Sequence, residues 1–222
     1  MRYEKVVAGR FISRPNRFIA QGEIDGRVQT VHVKNTGRCR ELLVPGATVY
    51  LAEGTNPGRK TKYDLVAVQK GERLINMDSQ APNAAVLEWL RQGHIFPAGT
   101  RIKPEYRYGD SRFDFGILTP ELALLEVKGI TLERDGAVFF PDAPTLRGAK
   151  HLRELAAFPG ESWALFVIQM KGAEYFAPNE ATDPAFALAL REAHDAGVHI
   201  LAYDCHVTAD SMTLADPVEV RL

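Results

Sequence analysis

The sequence lacks several features that would define a function class at once. No apolar run reaches the roughly 18 residues needed to cross a bilayer, and the start, MRYEKVVAGR, has no apolar stretch ending in a small-residue cleavage site. We therefore expect a cytoplasmic protein without a membrane partner. Only two cysteines are present, Cys39 and Cys205, which by themselves form neither a disulfide framework nor a four-ligand zinc site. We expect both thiols to be reduced and structurally incidental.

The signatures of several enzyme classes are also missing. The chain has no GxxxxGKS/T phosphate loop, no GxGxxG segment that opens a helix and no GxSxG elbow. These absences argue against an ATPase, a dinucleotide oxidoreductase and a serine hydrolase, so we expect no nucleotide cofactor. His94, His194, His199 and His206 lack metal-ligand spacing, which argues against zinc.

Charge is distributed unevenly along the 222 residues. The net charge is −1, but residues 1–75 carry 14 Lys and Arg against 7 Asp and Glu, whereas the remainder carries 13 against 21. A basic unit favours contact with phosphate, and an acidic unit can hold a divalent cation or be merely well solvated. Hydrophobic residues (45%) and charged residues (25%) are present in ordinary globular proportions, and the length fits one or two compact domains.

The first 78 residues alternate apolar and polar positions between turn signals, a pattern typical of β-strands. Asp25-Gly26 marks a tight hairpin. Five short strands in about 70 residues fit an OB-like barrel, and an SH3-type barrel would show a similar pattern. The candidate strands are Val6–Ile12, Arg17–Ile24, Val28–Val33, Thr48–Leu51 and Asp64–Val68.

A turn-rich segment at 79–83 precedes a helical stretch, so we divide the chain into domains 1–78 and 79–222. Asn83 is the predicted N-cap of a helix that ends at Gly93. Alternating strands and helices then predict a mixed sheet flanked by helices, which makes the whole chain a two-domain protein of the α+β or α/β class. The other predicted helices are Pro144–Phe158 and Pro184–Ala196, and the predicted strands are Ile102–Tyr108, Arg112–Leu118, Leu122–Leu132, Ala137–Phe140, Trp163–Met170 and Ile200–Tyr203.

Three charged residues of the second domain form a candidate catalytic cluster. Asp114 lies in SRFDF (111–115), where an unpaired carboxylate among apolar residues would cost several kcal/mol. Glu126 and Lys128 lie two residues apart on the next predicted strand and therefore share a face. If the two strands are neighbours, all three side chains converge. Two carboxylates suit Mg²⁺ or Mn²⁺, and an ammonium suits the negative charge that develops during phosphodiester hydrolysis.

The alternative for this cluster is structural. Glu126 and Lys128 would then pair on a solvated strand face, and Asp114 would pair with Arg112. A D…ExK pattern alone is common by chance. Here, however, it falls on the second and third strands of an αβββαβ order, the arrangement that brings such groups together.

Six segments carry a family resemblance: RPNRF (14–18), HVKNTGR (32–38), RKTKY (59–63), SRFDF (111–115), LEVKGITL (125–132) and FPDAPTLRGAKHLREL (140–155). From about residue 1 to 205 the chain resembles the sugar fermentation stimulation protein A family. The resemblance implies a DNA-binding protein in which an OB-type barrel is joined to a core of the PD-(D/E)xK nuclease class. It also implies that Asp114, Glu126 and the Val127 carbonyl hold the metal while Lys128 assists the attacking water.

Two further acidic residues have alternative roles. Nucleases of this class often take another metal ligand from the helix before the first core strand, which makes Glu88 a candidate. Glu88 lies opposite the apolar stripe of its helix, so an exposed structural glutamate is the alternative. Asp142 is expected to cap the helix that follows it rather than to bind metal.

Basic residues in and beside predicted loops form the candidate nucleic-acid surface. Loops frame the groove of an OB barrel, where cations meet phosphates and aromatic rings stack on bases. Phe18 and Tyr63 are candidate stacking residues, with core packing the preferred role of Phe18. His151 either helps to hold the scissile strand or is a structural residue of the helix surface. The basic residues are Arg14, Arg17, Arg38, Arg40, Arg59, Lys60 and Lys62 in the first domain and Arg112, Arg147 and Lys150 in the second.

The sequence thus predicts a DNA-binding protein with divalent-metal-dependent nuclease activity, with RNA as the alternative substrate. The competing hypothesis is a non-catalytic, DNA-binding regulator of sugar-utilisation genes that uses a nuclease-like scaffold.

Overall fold

The computed structural model describes residues 1–35, 37–54 and 58–222, and its first unit is a closed β-barrel. Its strands are β1 (Val6–Asn16), β2 (Ile19–Ile24), β3 (Arg27–Val33), β4 (Thr48–Glu53), β5 (Tyr63–Lys70) and β6 (Arg73–Asn76). Strand β1 pairs with β2 and β4, and a parallel pairing of β3 with β5 closes the ring. This is the strand order of an OB barrel, so the predicted barrel is confirmed and the SH3-type alternative is wrong. Asp25 and Gly26 make the predicted turn, with φ of 49° and 72°.

The second unit contains a six-stranded mixed sheet in the order β15-β14-β12-β9-β8-β7. Its three central strands, β14, β12 and β9, run parallel, and the outer strands are antiparallel to their neighbours. The elements are α1 (Ala81–Arg91), β7 (Arg101–Tyr108), β8 (Ser111–Leu118), β9 (Leu122–Ile130), β10 (Leu132–Arg134), β11 (Ala137–Phe140), α2 (Leu146–Ala157), β12 (Ser162–Ile168), β13 (Tyr175–Pro178), α3 (Pro184–Asp195), β14 (His199–Val207), β15 (Met212–Pro217) and β16 (Glu219–Val220).

Helices cover both faces of this sheet. One core packs α2 and α3 against the sheet and contains Leu124, Phe166 and Leu152, while the other packs α1 and contains Leu125 and Val127. Adjacent residues of β9 thus belong to opposite cores, as the period of two requires. Glu126 and Lys128 are alternate residues of β9 after Leu124, so they lie on the same face of the sheet as Leu124, the face that α2 covers. The predicted mixed sheet flanked by helices is confirmed.

The barrel and the second unit share one hydrophobic core and a buried polar junction. The side-chain amide of Gln169 donates to the carbonyls of Asn76 and Asp78, each at 3.1 Å. Beside it, Glu133 accepts from Lys70 at 2.6 Å and pairs with Arg73 at 2.7 Å. The predicted boundary between residues 78 and 79 lies next to this junction.

The first residues of the chain also contact the second unit. Arg2 forms a bridge with Ser211, and the backbone N–H of Tyr3 donates to the Asp210 carbonyl at 2.7 Å. The N-terminal segment therefore lies against the turn between β14 and β15 before the chain enters the barrel.

Several predicted boundaries were wrong. Helix α1 begins at Ala81, so Asn83 lies within its first turn and is not its cap. The N-cap of α2 is Thr145, whose side chain accepts from the Gly148 N–H, and Asp142 instead accepts from the Arg38 N–H at 3.1 Å. The predicted strand Leu122–Leu132 breaks at Thr131, where the chain moves into a second sheet of order β10-β11-β13-β16.

Both cysteines are buried and unpaired, as predicted. Burial raises the pKa of each thiol to about 12, so both are neutral at physiological pH. Among the helices of the described residues, none has the length and apolarity needed to cross a membrane.

Candidate active site

Strands β8 and β9 bring the three predicted residues together. Their ladder runs to the pair Phe115 and Leu125, and the next residues along the two strands are Asp114 and Glu126. The ammonium of Lys128 donates to Oε1 of Glu126 at 2.5 Å. The predicted adjacency of the two strands is thus confirmed, while a catalytic role for the residues stays a prediction.

Asp114 is held by two donors from different elements. Its Oδ2 accepts from the Val127 N–H of β9 at 2.7 Å, and its Oδ1 accepts from the side-chain amide of Asn83 in α1, also at 2.7 Å. Burial, followed by the negative charge of Glu126, raises the pKa of the Asp114 carboxyl. The alternative pairing with Arg112 is wrong, because that residue pairs with Glu105 at 3.6 Å.

Glu126 is only 4% exposed, and both of its donors bind the same oxygen. Oε1 accepts from Lys128 and from Nδ1 of His151, each at 2.5 Å. Burial alone would raise the pKa of this carboxyl, but the hydrogen bond from His151 and the charge of Lys128 outweigh burial and hold the pKa below its usual range. Oε2 is buried and has no hydrogen-bond partner among the described residues.

The carboxylate oxygens of Glu126 and Asp114 fit a small divalent cation. A buried carboxylate oxygen without a partner carries a penalty of about 1–3 kcal/mol, which a cation at Glu126 Oε2 would remove. The nearby Asp114 oxygens each accept one hydrogen bond, which leaves each of them a further lone pair. Residues 1–35, 37–54 and 58–222 contain no group of three or more His, Cys, Asp or Glu suited to a metal. A cation here would therefore depend on two carboxylates and backbone oxygen.

Glu88 lies elsewhere. Its carboxylate pairs with the Met1 ammonium at 2.5 Å, and its side chain is 54% exposed. Glu88 and Asn83 are five positions apart on α1, about 140° around the helix. Because Asn83 is the α1 residue that contacts Asp114, the structure supports the exposed structural role that was the alternative for Glu88.

Asn83 and His151 are site residues whose contacts the sequence did not reveal. Asn83 was predicted as a helix cap, and its partly buried contact with Asp114 joins residues 31 positions apart. His151 was predicted either to help hold the scissile strand or to be a structural residue of the helix surface. It is 3% exposed, which excludes the surface role, and its Nδ1 contacts Glu126. One feature of the sequence could have indicated His151: it lies on α2, the helix that follows the strands of the cluster and the small β10–β11 hairpin.

A basic cleft adjoins the site. Its volume is about 330 Å³, and it is lined by Asp110, Ser111, Arg112, Leu146, Arg147, Lys150 and His151. Of these, Arg112, Arg147 and Lys150 are exposed cations from the predicted nucleic-acid surface. His151 connects the cleft with the carboxylate cluster, because it lines the cleft and its Nδ1 contacts Glu126, whereas Glu126 itself is not part of the lining.

The predicted cations of the barrel differ in their contacts and exposure. Arg14 is structural, because its guanidinium donates to the carbonyls of Arg17, Asn35, Gly37 and Arg38 at 2.6–3.0 Å. Two others pair with acidic residues: Arg59 with buried Asp64, and Lys62 with Glu53 at 3.5 Å. Lys62 is nevertheless exposed, as are Arg17, Arg38, Arg40 and Lys60.

The barrel loop held by Arg14 reaches the second unit near the candidate site. Its Arg38 N–H contacts Asp142 in the segment before α2, and its Asn35 lines a small cleft together with Gly129, which follows Lys128 on β9. This barrel loop therefore contacts the second unit close to the segment that leads into α2.

The two candidate stacking residues differ in exposure. Phe18 is 50% exposed beside Arg17, so the prediction that it packs in the core was wrong. Tyr63 is partly buried, with the Lys62 ammonium 5.0 Å from the centre of its ring.

Comparisons with known proteins match the whole chain. The family model described as "Sugar fermentation stimulation protein RE domain" matches residues 80–211, and the model described as "SfsA N-terminal OB domain" matches residues 12–77. A sugar fermentation stimulation protein homolog of Desulfitobacterium hafniense (strain Y51) is 54% identical over 226 residues, which cover 100% of this chain and 99% of the relative. A homolog from Ruminiclostridium cellulolyticum is 51% identical over 226 residues and covers 100% of both chains.

A solved structure described as "The structure of Pyrococcus Furiosus SfsA in complex with Ca2+" is also similar. It has a TM-score of 0.87 and 26% sequence identity, and the match covers 100% of this chain and 98% of the other. The chain therefore belongs to the sugar fermentation stimulation protein family.

Proposed function

We propose that this protein hydrolyses phosphodiester bonds of nucleic acid, DNA being the preferred substrate, with a divalent cation held by Asp114, Glu126 and the Val127 carbonyl. The observation that carries the proposal is the buried Oε2 of Glu126, which has no hydrogen-bond partner within the described part of the chain and lies in a cluster with Asp114 and Lys128. When bound, Mg²⁺ or Mn²⁺ would lower the pKa of a water molecule and offset charge on the phosphate.

The pKa values of the two carboxyl groups are shifted in opposite directions, which suits the binding of a cation. Glu126 stays ionised, because its pKa is held low by His151 and Lys128, whereas burial and the Glu126 charge raise the pKa of Asp114. Two converging negative charges repel one another, and a divalent cation is the ligand that offsets both. The pair is therefore arranged to attract a cation.

Lys128 is suited to stabilising negative charge. Its side chain is 14% exposed, and a sheltered ammonium acts more strongly on nearby charge than one in bulk water. One of its three N–H groups contacts Glu126. The ammonium therefore has donors left for a phosphate oxygen or for the attacking water.

The surrounding charge favours a polyanion. The basic cleft presents Arg112, Arg147 and Lys150 next to His151, which contacts Glu126. A strand that reaches the carboxylate cluster along this cleft would meet these cations. Such contacts bind phosphates without regard to sequence.

The Pyrococcus furiosus relative supports a cation site, because its structure is described as a complex with Ca²⁺. Calcium, magnesium and manganese all take oxygen ligands. That relative matches the whole of this chain at 26% identity, so we extend divalent-cation binding to this chain as part of the proposal.

The test is incubation with labelled single- and double-stranded DNA and RNA in Mg²⁺, Mn²⁺, Ca²⁺ or EDTA. Lys128→Ala should lower the cleavage rate by about 10²–10³-fold, and Lys128→Arg should stay impaired because a planar guanidinium does not replace a compact ammonium. Nucleic-acid affinity should change little. Lys103→Ala, at an exposed lysine of β7, is the matched control.

Two outcomes would contradict the proposal. If Lys128→Ala cuts as fast as the wild type, Lys128 has no catalytic role. If the wild type binds DNA but cuts no nucleic acid under any of these conditions, the non-catalytic regulator becomes the better description.

A further inference from the structure

His151 and Lys128 make an asymmetric contact with Glu126. Both donate to Oε1 at 2.5 Å, whereas Oε2 is buried without a partner among the described residues. A carboxylate free to rotate would share two donors between its two oxygens. In the structure, Oε1 instead accepts both hydrogen bonds, and Oε2 accepts none from the described residues.

The surroundings of His151 define which nitrogen carries its proton. Nε of Arg147 lies 3.4 Å from Nε2 of His151 and can only donate, so Nε2 is the accepting nitrogen. In the neutral ring the proton is then on Nδ1, which faces Glu126. The ring is 3% exposed and packs against Phe113 with ring centres 5.4 Å apart, so its orientation is fixed.

We propose that His151 is a positioning residue that holds Oε1 of Glu126 and thereby presents Oε2 to a divalent cation. The inference rests on the proposed function. It assigns to a residue outside the Asp114, Glu126 and Lys128 trio a role in cation affinity.

A second donor on Glu126 is needed because Lys128 has another task. In the structure the Lys128 ammonium contacts Glu126, but in the proposed reaction it also contacts phosphate or water. If it turns toward the substrate, His151 is the donor that still holds Glu126 in place. Residues that orient metal ligands in this way typically change metal affinity by about 10–100-fold when replaced.

The test compares three substitutions of similar side-chain size, of which one keeps the donor toward Glu126, one removes it and one displaces it. In His151→Asn the amide nitrogen is attached to Cγ, as Nδ1 is in histidine, so the variant can still donate to Glu126. His151→Leu has a similar branched shape without a donor. His151→Gln places its amide nitrogen one atom further out, toward the position of Nε2.

The readout is Mn²⁺ affinity, measured by calorimetry without nucleic acid, together with thermal unfolding without metal to verify that each variant is folded. We expect His151→Leu and His151→Gln to bind Mn²⁺ about 10–100-fold more weakly than the wild type. His151→Asn should stay within a few-fold of the wild type, which a purely structural role would not explain.

Each outcome is informative. If the wild type binds Mn²⁺ and folded His151→Leu binds it equally well, the positioning role is wrong and the proposed function stands. If His151→Asn loses as much affinity as His151→Leu, the hydrogen bond is not the cause and the inference is overturned. Should His151→Leu fail to fold, the comparison of His151→Gln with His151→Asn decides. If the wild type binds no Mn²⁺, both the inference and the proposed metal site are wrong.

Discussion

Asp114→Asn tests the shared cation site most directly, because it removes one negative charge with little change of shape. The asparagine oxygen can still accept from the Val127 N–H, and the amide of Asn83 can turn to accept from the new side chain. Burial raises the pKa of Asp114, which means that the folded protein disfavours its charge. Without metal, the variant should therefore be as stable as the wild type or more stable.

The difference should appear when metal is added. At a free Mn²⁺ concentration about one hundred times Kd, binding to the native state adds about 2.7 kcal/mol to the free energy of unfolding. For a chain of this size each kcal/mol corresponds to about 2–4 °C. The wild-type Tm should thus rise by about 5–11 °C, whereas the Tm of Asp114→Asn should hardly move.

The same experiment has an expected pH dependence. The folded protein without metal binds the Asp114 proton more tightly than the unfolded chain does, so its stability declines as pH rises between the unfolded and the folded pKa. Metal competes with that proton. The Mn²⁺-dependent rise in Tm should therefore grow over this interval, and it should disappear on acidification at a higher pH than an ordinary aspartate would predict.

Differential scanning calorimetry or fluorimetry with Mn²⁺, Mg²⁺ and EDTA measures both effects. The control is Asp110→Asn, which changes an exposed aspartate in the turn before β8 and should respond to metal like the wild type. An equal metal-dependent rise in Asp114→Asn and the wild type would refute the assignment of Asp114 as a ligand.

Two further predictions concern binding and stability. Replacing Arg147 and Lys150 together by alanine should flatten the slope of log K against log salt for duplex DNA by up to about two units, at ~0.9 for each phosphate that is no longer neutralised, as measured by fluorescence anisotropy; an unchanged slope would remove this cleft from the binding surface. Glu133→Gln should lower the free energy of unfolding in urea by about 2 kcal/mol, because two cations lose their buried partner, while Glu72→Gln at an exposed site should have little effect. Burial would raise the pKa of Glu133, but the Lys70 hydrogen bond and the other contacts outweigh it, so this stabilisation should be present at neutral pH and be lost as pH falls through the lowered pKa.

Periodicity predicted the parts of the site that depend on strands. Glu126 and Lys128 share a face because alternation is a property of the strand itself. The hairpin at Asp25-Gly26 was predictable for a similar reason, since both residues tolerate positive φ. In each case the relevant contact is local, so neighbouring residues carry the information.

Contacts between distant residues were not predictable in this way. Asn83 is a suitable helix cap by type, and only the approach of β8 to α1 converts it into a donor for Asp114. From the sequence, Arg14 was predicted to bind phosphate, but in the folded protein its guanidinium donates to four backbone carbonyls. Strands β13 and β16 are short and depend on their neighbours in the small sheet, so they carry little pattern of their own.

The junction at Gln169 also bears on which substrates can be accommodated. Its amide is bonded to the backbone on both sides of Met77, and the barrel core continues into the sheet core, so the two units have no flexible linker between them. The spacing between the barrel and the second unit is therefore fixed, and the two units do not close around a ligand. A ligand that touches both the Arg38 loop and the α2 cleft must therefore bend or open to fit the protein, and the width and stiffness of that ligand become criteria of selection.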